Sequence, residues 1–230
     1  TVNLTFADDG DVAVTLTVSS AYDSATTTET ITVIPKPDQA ILIVDIIPGA
    51  GGTVTRNPDQ VAYDFGTEVT LTAVPNTGYT FSSWGGGGCS GIGTCVVTMD
   101  GDTTVTATFA INTYNLNYTA GANGTLSGET SQIVNHGSNG TAVTAVPNTG
   151  YHFVNWSDGS LVNPRMDTNV TGNISVTANF AINTYTLNYT AGPNGSISGV
   201  TTQTVNHGGD GSQVEAIPNT GYHFVNWSDG

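Results

Sequence analysis

The chain has 230 residues, enough for one large domain or a few small ones, and a formal charge of −15 set by 18 acidic residues against only Lys36, Arg56 and Arg165. Charged residues make up 9% and hydrophobic ones 37%, with Gly, Thr and Asn filling the gap; this palette suits strands and tight turns and lacks the Lys, Glu and Leu of helices. Three cations cannot displace the counterions of a nucleic acid or grip an anionic membrane, and Asp45 interrupts the richest apolar run, Ile41 to Ile47, so no nucleic-acid partner and no membrane insertion are expected.

In chain order, Val12 to Val18, a turn around Ala21–Ser24, and Thr28 to Val33 read as a hairpin at the end of a β-sandwich, and we place this first domain at 1–35. Pro35-Lys36-Pro37 makes a stiff, extended linker over 36–40. Thr1 stands inside an alternating pattern, so any signal peptide is expected outside this stretch.

From residue 41 the chain repeats itself. Ile111-Asn-Thr-Tyr114 returns as Ile182-Asn-Thr-Tyr185, and Pro147-Asn-Thr-Gly-Tyr-His-Phe153 returns as Pro218 to Phe224. A more divergent copy precedes them, with Pro75-Asn-Thr-Gly-Tyr-Thr-Phe81 and Trp84 in the middle and Val105-Thr-Ala-Thr-Phe109 answering Val176-Thr-Ala-Asn-Phe180. We place repeats at 41–110, 111–181 and 182–230, the last expected to be incomplete because nothing answers Ser160 to Phe180. Within a repeat, Tyr114 to Tyr118, Val69 to Val74, Tyr79 to Trp84 and Thr103 to Phe109 alternate as strands. Asn123-Gly124 and Asn194-Gly195 sit where a two-residue primed turn would reverse the chain, with Gly51-Gly52 in the equivalent place. No stretch carries helical periodicity over three turns, so each repeat is expected to hold about five to seven short strands and at most one helical turn.

The residues Gly-x-x-Gly near the start, Ala-Val-Pro-Asn-Thr-Gly-Tyr-x-Phe-x-x-Trp in the middle (73–84 and 145–156) and Val-Thr-Ala-x-Phe at the end resemble the divergent InlB B-repeat family. Residues 1–34 are similar to the closing strands of a PKD or other immunoglobulin-like domain. The resemblance implies an all-β fold: tandem small β-rich modules, β-grasp-like B-repeats, after a partial immunoglobulin-like β-sandwich. It also implies a secreted or cell-surface setting in bacteria, with no catalytic apparatus to carry over. Two functions follow as expectations. One is a non-catalytic adhesive or spacer stalk whose partner is an extracellular glycan or protein. The other is an accessory carbohydrate-binding region of a secreted polysaccharide-degrading enzyme. The short junctions Phe109-Ala-Ile-Asn-Thr-Tyr114 and Phe180-Ala-Ile-Asn-Thr-Tyr185 predict stiffly joined repeats and a monomeric rod.

Candidate chemistry is sparse. Cys89 and Cys95, six apart across a Gly-rich turn, cannot supply a four-ligand zinc site and read as a local disulfide, with free thiols as the alternative. His136, His152, His207 and His223 recur in repeats 2 and 3, but repeat 1 has Phe65 and Thr80 in those places, so the repeat is not organised around imidazole or a His-based metal site. Tyr79, Trp84, Tyr151, Trp156, Tyr222 and Trp227 are either core or a sugar-stacking platform. Tyr151 and Phe153 share a face, and Trp156 joins them only if the strand bends between Val154 and Asn155. A thin core favours packing. Asp8, Asp9 and Asp11 offer oxygen ligands that calcium prefers, although Asp-Gly is also ordinary turn chemistry; no other cofactor is expected.

Overall fold

The computed structural model describes residues 12–20, 23–33 and 39–229, and among them every regular element is a strand. The calcium candidates Asp8, Asp9 and Asp11 and residues 36–38 of the linker lie outside the described residues. Strands β1 (Val12–Ser20) and β2 (Asp23–Val33) form an antiparallel hairpin with Val12 opposite Val33 and Leu16 opposite Glu29. The chain divides after Ala110 into two compact units.

The first unit holds repeat 1: β3 (Gln39–Ala40), β4 (Leu42–Ile47), β5 (Gly52–Asn57), β6 (Tyr63–Asp64), β7 (Glu68–Pro75), β8 (Tyr79–Gly85), β9 (Cys95–Thr98) and β10 (Thr103–Ile111). Its sheets run β4-β10-β8 and β5-β7-β9, with the two-residue pair β3-β6 beside them. Strand β3 stands just before position 41, so positions 41–110 hold seven strands, β4 to β10, within the five to seven expected. Alternation of apolar and Thr residues on β10 buries Val105, Ala107 and Phe109, which pack with Leu42, Val69, Leu71, Trp84 and Val97 into one core drawn from both sheets.

The second unit holds repeat 2, with β11 (Thr113–Ala120), β12 (Gly124–Ser127), β13 (Ser131–Asn135), β14 (Thr144–Pro147), β15 (Tyr151–Trp156) and β16 (Ile174–Ile182). Repeat 3 follows with β17 (Thr184–Asn188), β18 (Gly195–Ser198), β19 (Thr202–Asn206) and β20 (Glu215–Pro218). The main sheet of repeat 2 is ordered β13-β11-β16-β15. The strand that opens the repeat, β11, lies parallel to the strand that closes it, β16, with Tyr118 beside Val176 and Ala120 beside Ala178. Leu116, Tyr118, Val143, Ala145, Trp156, Val170, Val176 and Ala178 form its core. In repeat 3, β17 pairs with β19 and β18 with β20.

The Asn123-Gly124 turn differs from expectation. It does not fold β11 back onto its own neighbour, because β12 pairs with β14 while β11 is already flanked by β13 and β16. Gly121 N–H stays bonded to Ala178 O at 2.9 Å, so the chain leaves a full ladder and crosses to the second sheet. A type I′ turn, the one that Asn-Gly favours, would need left-handed backbone at both residues, and here Asn123 alone supplies it (φ 69°).

The glycines after these turns have a packing role. A Cβ on Gly124 would collide with the Phe180 ring, and one on Gly52 would come within 2.5 Å of the Phe109 ring, the equivalent closing aromatic of repeat 1. Gly124→Ala is therefore expected to displace Phe180 and lower stability by about 1–3 kcal/mol, the usual range for overpacking a full core. Denaturant unfolding of the whole chain checks this, and an unchanged midpoint would mean that the ring moves freely.

Candidate functional site

The aromatic segment common to all three repeats builds the site. On β15 the ladder with β16 skips a residue between Phe153 and Asn155, so Phe153 faces Phe180 and Trp156 faces Ala178. The extra residue, Val154, restores the alternation and brings Trp156 onto the face of Phe153. The indole then meets Phe153 at 5.8 Å and Tyr118 at 6.0 Å between ring centres, both edge-on, while Phe153 meets Phe180 at 6.2 Å. In repeat 1, Phe81 bridges Trp84 at 5.0 Å and Phe109 at 5.4 Å. Trp156 is 0% exposed and Trp84 4%, whereas Tyr79 and Tyr151 are half-buried. In repeat 3, Trp227 is half-buried and Tyr222 is 57% exposed.

The loop after each tryptophan closes over the indole. Trp84 Nε1–H donates to Gly93 O at 2.6 Å and Trp156 Nε1–H to Val162 O at 2.9 Å, and both backbone N–H groups reach into the same loops, at Gly91 O and Ser160 O. In repeat 1 the loop is fastened by a Cys89–Cys95 disulfide with Cα atoms 5.6 Å apart. In repeat 2 it is fastened by charge. Leu71 of repeat 1 pairs with Cys95, and its counterpart Val143 pairs with Arg165, so Arg165 stands in the place of Cys95. Its guanidinium is forked onto Asp167 (Nε–Oδ2 2.8 Å, Nη2–Oδ1 2.7 Å), reaches back across the loop to Asp158 (2.7 Å), and lies over the Trp156 ring at 5.6 Å. Tyr118 completes the group by donating its hydroxyl to Asp167 Oδ2 at 2.7 Å.

The electrostatics are mutual. Hydrogen bonds from Arg165 hold the Asp167 carboxyl below its ordinary value against the desolvation that opposes them, and the Tyr118 hydroxyl adds to the lowering. Desolvation raises Asp158, but bonds from Arg165 and Ser160 N–H outweigh it and leave that carboxyl lowered as well. Burial, then the bond to Asp167, pushes the Tyr118 phenol well above its ordinary range, and the bond to Asp167 raises Arg165.

A family model for the divergent InlB B-repeat domain matches residues 42–113, 114–184 and 185–230. The chain belongs to this family. It is a tandem-repeat region, and a comparison with curated proteins finds no match.

Three of the four histidines make polar contacts within the B-repeats, and His223 is exposed. His136 and His207 each place Nδ1 3.3 Å from a tyrosine hydroxyl, Tyr114 and Tyr185 respectively, and His152 Nδ1 lies 2.8 Å from Asn183 Oδ1. Among the described residues no three His, Cys, Asp or Glu side chains converge as metal ligands would. Sequence reasoning missed two buried polar groups. Gln132 answers backbone groups at Glu129, Thr141 O and Thr141 N–H, and Gln203 does the same in repeat 3. Arg165 was visible only as one of three cations, and aligning it with Cys95 would have exposed its role.

Trp156→Ala is expected to cost about 3–5 kcal/mol, and Arg165→Met about 3 kcal/mol, because the latter strands the carboxylate of Asp167. The second effect depends on pH. A carboxylate whose folded pKa is depressed stabilises the fold above its unfolded value, about 3.9, and that contribution disappears as pH falls through the folded pKa. The melting difference between wild type and Arg165→Met should be full at neutral pH and shrink below about pH 4. A difference that stays constant as the pH is lowered well below the unfolded value would remove the ion network from the account.

Proposed function

We propose that this chain is a non-catalytic spacer and adhesive region of a secreted or cell-surface bacterial protein, which presents binding surfaces at fixed intervals to an extracellular glycan or protein. The observation that carries this reading is the joint between repeats 2 and 3. Asn183, between β16 and β17, donates its N–H to Gly150 O at 2.8 Å, and its side chain bonds His152. His207 donates its N–H to Asn183 O at 2.8 Å and lays its ring on Gly150, where a Cβ would strike it. Four contacts around a one-residue connection suit a spacer, whose use depends on keeping successive modules at a set spacing.

The extracellular setting draws support from the Cys89–Cys95 bond, since small disulfides persist in oxidising compartments, and from an acidic surface that keeps the chain soluble. The non-catalytic reading draws support from Arg165, Asp167 and Tyr118, whose donors and acceptors are turned on one another inside the repeat. The reading as a carbohydrate-binding accessory draws less support, because the indoles of repeats 1 and 2, Trp84 and Trp156, are inside.

In the whole chain, nuclear spin relaxation should show repeats 2 and 3 tumbling together, and the double substitution His152→Ala and His207→Ala should let them move separately while leaving each repeat's chemical-shift pattern in place. Independent tumbling of the two repeats in the wild type would defeat the spacer reading.

A further inference from the structure

Repeat 1 departs from its neighbours at one sheet edge. In repeat 2 the outer side of β11 is covered by β13, pairing Thr113 with Asn135 through Asn117 with Ser131, and Tyr118 N–H just beyond donates to Thr130 O at 2.8 Å. Repeat 3 repeats this, with β19 on β17 and Tyr189 N–H on Thr201 O at 2.8 Å. The strand in this place in repeat 1 is β4, aligned through its parallel partner: Val44 lies beside Val105 as Tyr118 lies beside Val176. Here the outer ladder stops after Gln39–Asp64 and Ala40–Tyr63. The preceding loop turns away instead. Pro58 has no N–H to offer, and the Tyr63 hydroxyl holds the loop by donating to Pro58 O (3.1 Å) and accepting from Gln60 N–H (3.2 Å).

Two further features mark the same edge. Ile41 directs its backbone at the β10 side, with its O accepting from Thr103 N–H at 3.0 Å and its N–H on Asp102 at 2.8 Å. Leu42, Val44 and Ile46 therefore direct theirs outward, and among the described residues no backbone group meets them. The side chains have changed in step. Ile41 and Ile43 stand where repeat 2 has Asn115 and Asn117 and repeat 3 has Thr186 and Asn188, and Ile41, Ile43 and Ile47 are 50%, 51% and 54% exposed. An open edge with half-exposed isoleucines is a template for another strand.

We propose that β4 is a strand-addition edge through which two copies of this chain pair antiparallel about Val44. In that register the outward backbone groups of Leu42, Val44 and Ile46 meet their counterparts, Leu42 opposite Ile46 and Val44 opposite itself, so the β3-β6 ladder is continued by the second copy. On the exposed face Ile41 meets Ile47 and Ile43 meets Asp45, which sets apolar pairs at both ends of a self-complementary two-fold contact. Two chains of charge −15 repel, so the pairing tightens as salt screens them, the reverse of an ionic interface. This departs from the monomer expected from the sequence, and it goes beyond the spacer reading without depending on it.

Sedimentation velocity on the whole chain at low and high salt tests the proposal, with Ile43→Glu, which sets a carboxylate against Asp45 of the second copy, and, as a control of equal charge, Ile133→Glu, which alters an isoleucine 74% exposed on β13. The wild type should dimerise with rising concentration, more strongly at high salt. Ile43→Glu should weaken the dimer about tenfold or more, and Ile133→Glu, which adds the same charge away from the edge, should stay close to the wild type at high salt. Amide exchange at Leu42, Val44 and Ile46 should slow as the dimer forms. A wild type that stays monomeric at every salt and concentration, a dimer that survives Ile43→Glu, or equal weakening by Ile133→Glu would each overturn it. Matching circular dichroism of Ile43→Glu and wild type at monomeric concentrations confirms that the fold is intact.

Discussion

Repeats 1 and 2 each depend on one indole sealed between its strand and the loop that follows it. A module of about seventy residues has a thin core, so a single large ring must do much of the filling. The bulge at Val154 turns Trp156 inward, and the glycine at the far side, Gly124, leaves room for the Phe180 ring, which Phe153 joins to the indole. The indole also needs its N–H satisfied when buried, and the loop supplies the carbonyl, Gly93 in one repeat and Val162 in the other. An ordered loop is therefore a condition of a closed core.

Repeats 1 and 2 meet that condition by different chemistry at one position. The disulfide of repeat 1 restricts the unfolded chain, worth roughly 2.4 kcal/mol for so short a loop, and does not titrate. The Arg165 group of repeat 2 draws its strength from bidentate geometry and low exposure, with Arg165 only 8% exposed, and it answers to pH. The two repeats thus share a scaffold and differ in what would loosen them, reductant in one and acid in the other.

Much of this was legible from residue order. The period of the repeats, the strand alternation of β7, β8, β10 and β11, and the condition under which Trp156 would join Phe153 all follow from spacing, because side-chain direction alternates along a strand. The sheet topology was not legible. Asn123-Gly124 is a hairpin signal locally, and only the parallel pairing of β11 with β16, set by residues more than fifty positions apart, shows that the strands it joins belong to different sheets. Arg165 and Gln132 were missed for a similar reason: their partners are carbonyls and carboxylates that the fold, not the local sequence, brings to them. The open edge at β4 is legible only by comparing repeats, with Ile41 and Ile43 set beside Asn115 and Asn117.

The most direct measurement of the central claim is hydrogen exchange at the indole N–H groups of Trp84 and Trp156, compared in oxidised and reduced protein at neutral pH. If the loop fastening is what seals each indole, reduction lowers the protection of Trp84 and leaves that of Trp156 at its oxidised value. Equal loss at both rings, or no loss at Trp84, would contradict the account.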